Sequence, residues 1–386
     1  MEQMTSLRKY LLPEFVYGAT AGDLAGRSAA NLALHKVLVV SDPGVAAAGW
    51  TGRVVDSLHR AGVATEPFYA VTPNPKDREV MAGADRYRAA GCNGIVAVGG
   101  GSPMDCAKGI GIVSSSGGSI LEYEGVDQIP QPMPPLICIP TTAGTAADIS
   151  QFAIITNTAD NRKIAIISKA VVPDLALIDP LTTTTMDAPL TAATGLDALV
   201  HAMEAYVSTA GSPFTDLRAL HAVSLIVNNL QRAVAEPDNL AARDALMLAS
   251  TEAGMAFSNA SLGAVHAMAH SLGGLLDSPH GVCNALLLEH LIRFNFPAAP
   301  DRYRRIADAF GMATASHANG ELGDLLADRI RQFRTALGIT GSLSQEGVTT
   351  AHIPALARNA MQDACMVTNP RRPTLQEIEA IYAAAL

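Results

Sequence analysis

Residues 91–113, GCNGIVAVGGGSPMDCAKGIGIV, decide the fold. The apolar run GIVAV at 94–98 reads as a buried strand, and 102–113 has helical spacing. Between them lies the glycine turn Gly99-Gly100-Gly101-Ser102, a strand-to-helix junction. Outward toward the N-terminus, KVLVVS at 36–41 reads as a strand ending at Asp42, and 45–61 as helical. FYA at 68–70 predicts a weak strand, PNP at 73–75 a rigid turn, and 76–90 a helix. Outward toward the C-terminus, LICI at 136–139 is another buried strand, followed by β-type runs at 152–156, 164–167 and 175–178. Such alternation predicts an α/β domain with a parallel sheet wrapped by helices. After about residue 185 the chain turns rich in Ala and Leu with long amphipathic periods. Asp187 followed by Pro189 is a helix start, the acid as cap and the proline in the first turn. The expectation is therefore an α/β domain over 1–186, an all-helical domain over 187–386, and a ligand cleft where they join.

The 386 residues are 49% hydrophobic and 16% charged, which suits a well-buried enzyme and excludes a disordered chain. The net charge of −9, with no basic stripe, argues against nucleic acid as a partner. No apolar run reaches the length of a bilayer span, and MEQMTSLRKY lacks the apolar core of a secretory signal. Cys92, Cys106, Cys138, Cys283 and Cys365 are scattered and form no CxxC, as expected of reduced thiols in a cytoplasm.

The glycine turn suits a pyrophosphate: glycines admit close backbone approach, and the helix behind them offers free N–H groups and a positive dipole end. It is not the GxGxxG of the usual Rossmann fingerprint. Thr141, Thr142 and Thr145, in the run PTTAGT after the strand LICI, repeat the arrangement with hydroxyls. Asp42 has two readings. A carboxylate ending the first strand can accept a hydrogen bond from an adenosine ribose 2′-hydroxyl and repel a 2′-phosphate, favouring NAD over NADP. Asp42-Pro43-Gly44 is also ordinary turn chemistry.

In the helical half, Asp197 and His201 are four apart on one predicted helix, and His266 and His270 repeat that spacing on a second. His280 follows in a Pro-His-Gly turn. A carboxylate with three imidazoles makes a site for a divalent transition metal, although spacing does not choose which four of these five groups bind it. His290, His35, His59, His221, His317 and His352 read as structural.

With these segments the chain resembles the iron-dependent (group III) alcohol dehydrogenases, the family of lactaldehyde reductase and 1,3-propanediol dehydrogenase. The matching pieces are GGGSPMDCAKGIG at 99–111, PTTAGTAADIS at 140–150, ATGLDALVHAMEAYVS at 193–208, GAVHAMAHSLGGLLDSPHGVCNALLLEH at 263–290 and NPR at 369–371. The resemblance implies an N-terminal Rossmann-like α/β domain and a C-terminal all-α domain, the architecture of the dehydroquinate synthase-like enzymes. It assigns the metal, iron first and zinc second, to Asp197, His201, His266 and His280. It leaves His270 beside the nicotinamide as a catalytic proton-relay or orienting group. It puts NAD on Asp42, Asn74, Gly99, Gly100, Gly101, Ser102, Thr141, Thr142, Thr145 and Lys163, which favours the ribose reading of Asp42. Phe152, Phe257 and Cys365 are the substrate candidates it suggests. Many relatives carry Gly-Ser-Glu where this chain has Ala146-Ala147-Asp148.

The chemistry implied is hydride transfer between a small primary alcohol or diol, or its aldehyde, and NAD, with the metal acting as Lewis acid toward the substrate oxygen. A homodimer or higher homo-oligomer is implied as well. Three rival readings stand beside it. A dehydroquinate synthase-like lyase would need a basic pocket, and the site segments carry few Arg or Lys. A non-catalytic binding protein would show damaged ligand positions, and none is damaged. A nicotinoprotein would hold its NAD through each turnover.

Overall fold

The computed structural model describes residues 7–315 and 317–386. The chain divides into two compact units. One consists of Leu12–Met186 with Asp238–Met247; the other holds the described residues before Leu12, Asp187–Pro237 and Leu248–Leu386. The two short segments group differently from a single cut at 186/187, and local bonds explain why. Asn259 accepts from the Leu11 amide at 2.6 Å and donates to the Leu11 carbonyl at 3.1 Å, tying the N-terminal segment to the helical unit. Tyr17 Oη donates to Asp244, and buried Arg243 donates to the Met186 carbonyl, tying 238–247 to the α/β unit.

In the α/β unit the strands are β1 (Glu14–Tyr17), β2 (Lys36–Val40), β3 (Ala64–Phe68), β4 (Gly94–Gly99), β5 (Gly125–Val126), β6 (Leu136–Pro140), β7 (Phe152–Asn157), β8 (Arg162–Ile167) and β9 (Leu175–Ile178). Six of them form one parallel sheet in the order β1-β9-β6-β4-β2-β3. The apolar runs are continuous because both faces are covered. Val37, Val39, Val96, Val98, Ile137 and Ile139 pack on one face under helices α1 (Ala25–Asn31) and α3 (Trp50–Arg60). Leu38, Val40, Ile95, Ala97, Leu136 and Cys138 pack on the other under α4 (Asp77–Ala90) and α5 (Gly101–Ser116). Each buried Val, Ile or Leu side chain contributes roughly 1.5–3 kcal/mol.

The structure departs from the sequence expectation in four places. The β-type runs at 152–156 and 164–167 are not in the parallel sheet: β7 and β8 pair antiparallel, and with β5 they make a separate three-stranded sheet. The strand expected at 68–70 lies at Ala64–Phe68, where Pro67 is tolerated because β3 is an edge strand. The helix expected over 45–61 is two, α2 (Pro43–Ala47) and α3, broken at Gly49 with φ +89°. Edge strand β1 lies where the sequence pattern predicts no element.

Among the described residues of the other unit the long regular elements are all helices: α6 (Ala188–Val207), α7 (Pro213–Ala235), α8 (Leu240–Ala260) after its first turns, α9 (Ala264–Leu276), α10 (His280–Asn295), α11 (Pro300–Ala309), α12 (Asn319–Ala336), α13 (Ile353–Gln362) and α14 (Leu375–Ala384). Asp187 caps α6, accepting from Leu190 N at 2.8 Å. From Gly195 to Val207 every residue of α6 is buried, so this helix forms the unit's axis. Among the described residues no helix is long and apolar enough to cross a membrane. All five cysteines are buried free thiols.

Candidate functional site

Three of the dinucleotide candidates' segments sit at the carboxyl ends of three adjacent parallel strands, the edge at which α/β sheets take ligands. Asp42 follows β2, Gly99–Ser102 follow β4, and Thr141–Thr145 follow β6. The β4 and β6 turns are joined, Thr141 N donating to the Gly99 carbonyl at 2.9 Å. A Cβ at Gly101 would stand 2.9 Å from Thr145 Cγ2, so only glycine lets the threonine turn close on the start of α5. Gly100 caps that 16-residue helix without a side chain, leaving its first-turn amides for an anion. Asp42 is the N-cap of α2, its Oδ1 accepting from Val45 N at 2.9 Å. The turn reading of Asp42 is therefore correct as local structure, and its second oxygen is left for other partners.

Asn74 has φ +53°, and its carbonyl accepts from Thr156 Oγ1 at 3.3 Å. Thr156 pairs with Lys163 across β7 and β8, so Asn74 and Lys163 lie to either side of it. Phe152 opens β7, its carbonyl accepting at 2.6 Å from Lys108, a lysine buried in α5 that also bonds the Ser150 carbonyl at 2.9 Å. Buried Asp148 and half-buried Asp105 lie near this ammonium, and desolvation raises each carboxyl to about 6.

In the helical unit, α6 carries Asp197 and His201 one turn apart, α9 carries His266 and His270, and His280 is the first residue of α10. They meet because α10 starts hard against α6. A Cβ on Gly281 would lie 2.3 Å from the Ala193 carbonyl oxygen, which explains the glycine after the Pro-His pair. Ligand-type atoms of Asp197, His201 and His266 all lie within 4.8 Å of one another. Asp197 Oδ1 is 3.7 Å from His266 Nε2 and 3.6 Å from His280 Nε2, and Asp197 Oδ2 is 3.9 Å from His201 Nδ1. The His201 ring stacks on His266 at 4.4 Å between centroids, and Phe257 stacks on His201 at the same 4.4 Å.

Asp197, His201 and His266 are buried and His280 is partly so. Burial pushes the Asp197 carboxyl up, but His201, His280 and His266 together outweigh it and hold the group far below the usual carboxylate range. An ionised, buried carboxylate ringed by imidazoles is a centre that favours positive charge. One oxygen and three nitrogen donors suit a divalent transition metal, so these residues fit the ion that their pattern implies.

His270 is set apart from this group. Its Nδ1 bonds Asp363 Oδ2 at 2.8 Å, and its ring stacks on His280 at 5.3 Å. Burial raises the Asp363 carboxyl, yet His270 outweighs it and the group falls to about 2. With Nδ1–H donated to that carboxylate, Nε2 keeps its lone pair. Cys365 donates its backbone N–H to Asp363 Oδ1 at 2.8 Å, and burial pushes its thiol well above the ordinary range.

Sequence reasoning missed three residues of the site. Glu204 bonds His266 Nδ1 at 2.6 Å and accepts from the Val265 amide at 2.8 Å. Its signal was its place on α6, seven residues after Asp197 and on the same face. Asn284 donates to Asp197 Oδ1 at 2.7 Å; it stands one turn after His280. Asp363 lies 93 residues from His270, and no spacing could pair them.

The chain is similar to known proteins over nearly its whole length. The iron-containing alcohol dehydrogenase family matches residues 13–180, and the C-terminal part of the Fe-containing alcohol dehydrogenase family matches 191–386. The chain is 41% identical to the 1,3-propanediol dehydrogenase of Citrobacter freundii, over 97% of this chain and 98% of that one. It is 34% identical to the NAD-dependent methanol dehydrogenase of Bacillus methanolicus, over 98% and 99%. The solved structure of a 1,3-propanediol oxidoreductase matches with a TM-score of 0.95 at 40% identity, covering 99% of this chain and 100% of that one. The chain belongs to the iron-containing alcohol dehydrogenase family.

Proposed function

We propose that this protein transfers hydride between a small primary alcohol or diol, or the corresponding aldehyde, and NAD(H), using a divalent metal held by Asp197, His201, His266 and His280. The observation that carries the proposal is the buried convergence of imidazoles on the ionised Asp197 carboxylate. A divalent cation bound there supplies Lewis acidity toward the substrate oxygen, and the nicotinamide supplies the carbon that accepts or gives hydride.

The chain's own residues supply the rest. The Gly99–Ser102 turn and the first amides of α5 bind the pyrophosphate, with Thr141, Thr142 and Thr145 closing over it. The Asp42 oxygen not used in capping accepts from the adenosine ribose, and Asn74 and Lys163 give further polar contacts to the dinucleotide. His270, oriented through Nδ1 by Asp363, accepts and returns the hydroxyl proton at Nε2. Phe257 and Cys365 give the imidazole cluster apolar neighbours that keep water away. Phe152 is proposed as a substrate contact on the sequence resemblance alone. Iron is the metal proposed, with zinc second. The proposed setting is the cytoplasm, where the five free thiols stay reduced, and the proposed assembly is a homodimer or higher homo-oligomer.

Metal analysis of the purified protein, paired with NADH formation from short diols and primary alcohols, tests this reading. His201→Ala is expected to lose the metal and turnover while still binding NAD. A variant that oxidises alcohols at the parent rate overturns the metal assignment.

A further inference from the structure

Asn284 is completely buried on the second turn of α10. Its amide nitrogen touches three of the four proposed ligands. It lies 2.7 Å from Asp197 Oδ1, 3.1 Å from His266 Nε2 and 3.2 Å from His280 Nε2. Asp197 is on α6, His266 on α9 and His280 on α10, so the two N–H groups of this one amide reach side chains from three helices. The orientation of the amide follows from chemistry. The ionised carboxylate is an acceptor only, and Glu204 takes the Nδ1 side of His266, leaving Nε2 as the acceptor. The nitrogen, not the oxygen, must therefore face them. The amide holds this direction although Asn284 Oδ1 is buried with no hydrogen-bond partner among the described residues. A buried carbonyl left unbonded while its two N–H groups are spent on Asp197 and the imidazole edges beside it marks a side chain placed for the site rather than for packing.

We propose that Asn284 is the positioning residue of the metal centre. Its amide donates to Asp197 Oδ1, leaving that oxygen's other lone pair for an ion, and it lies against the Nε2 edges of His266 and His280, so the three groups are gathered at one point before an ion takes the Nε2 lone pairs. The inference rests on the proposed metal site and adds a residue that is not a ligand to it. Removing such a support typically lowers metal affinity 10–100-fold without removing a ligand.

The test uses the full chain stripped of metal and titrated with Co2+ against a chromophoric chelator. The variants are Asn284→Leu, which keeps the volume and deletes the amide, and Asn284→Ala. The expected result is a loss of affinity of about tenfold or more in both, with an altered Co2+ ligand-field spectrum and unchanged NAD binding. Affinity within tenfold of the parent overturns the proposal. So does a lower thermal midpoint of the stripped protein with affinity and spectrum unchanged, because that is packing alone. If the leucine variant does not fold, Asn284→Ser decides by the same threshold. Asp197→Ala is the control. A parent that binds no Co2+, or an Asp197→Ala variant that binds like the parent, sinks the metal site itself and not only the role of Asn284.

Discussion

Glu204→Gln separates two jobs that one buried carboxylate performs. Glu204 takes the Nδ1 side of His266 at 2.6 Å, and it also accepts from the first-turn amides of α9, Val265 N at 2.8 Å and His266 N at 3.3 Å. Glutamine keeps the shape but loses the charge, and its amide end turns N–H groups toward one of those donors. A hydrogen bond to a charged group contributes about 1.5–3 kcal/mol, and the carboxylate at a helix N-terminus adds up to ~1 kcal/mol. The short bond to His266 and the one to Val265 dominate, so the metal-free protein should lose roughly 3 kcal/mol. The second job appears only with metal. Freeing the far side of His266 should weaken metal binding about 10–100-fold, equal to about 1.4–2.8 kcal/mol. That loss adds to the first when the protein is unfolded at saturating metal, because bound metal stabilises the folded chain in proportion to its affinity. Urea unfolding of parent and variant, with chelator and with excess metal, measures both. Equal destabilisation in the two conditions would reduce Glu204 to a helix cap. No destabilisation in either would refute the contacts themselves.

Three other substitutions probe the remaining parts. Asp363→Asn should slow alcohol oxidation at least tenfold (~10²–10⁴ is the usual range for lost acid–base assistance) while metal and NAD binding persist, and equal turnover would remove His270 from proton transfer. Because the Asp363 carboxyl is lowered from 3.8 to about 2, its contribution is present above about pH 4 and is lost as the pH falls through about 2. Asp42→Gly should shift cofactor preference toward NADP at a capping cost of only a few tenths of a kcal/mol, since glycine is a tolerable N-cap; unchanged preference in steady-state kinetics would take Asp42 out of the ribose site. Asp148, raised from 3.8 to about 6 by burial, destabilises the fold when ionised. Asp148→Asn should therefore recover up to about 3 kcal/mol in urea unfolding at pH 8 and almost nothing at pH 4, and a gain independent of pH would contradict the origin of the shift.

The fold was legible where burial is two-sided and illegible where it is not. GIVAV and LICI are apolar without interruption because helices cover both faces of β4 and β6. Glu14–Tyr17 is a four-residue edge strand, partly exposed along its length, and it gives no such run. Ala64–Phe68 is also at an edge and contains a proline, which shifted its expected place to the more apolar FYA. The runs at 152–156 and 164–167 showed that two strands exist. Whether they pair with each other or enter the parallel sheet depends on the turn between them. There Asn157 Oδ1 accepts from Ala159 N at 3.0 Å and Asn161 adopts φ +50°, details that periodicity does not carry.

The site divides along a similar line. Spacing brings His266 and His270 forward as equals, one turn apart on α9, and spacing alone does not distinguish them. What distinguishes them is which acid takes Nδ1. Glu204 arrives from α6, the helix that also bears Asp197, and His266 Nε2 lies toward Asp197. Asp363 arrives just after α13, and it holds His270 outside the Asp197 group. The same residue type at the same helical spacing thus acquires two different surroundings from two carboxylates distant in sequence. Any chain that keeps the four proposed ligands but exchanges Glu204 or Asp363 for an apolar residue should therefore fail in different ways, the first in metal retention and the second in proton transfer.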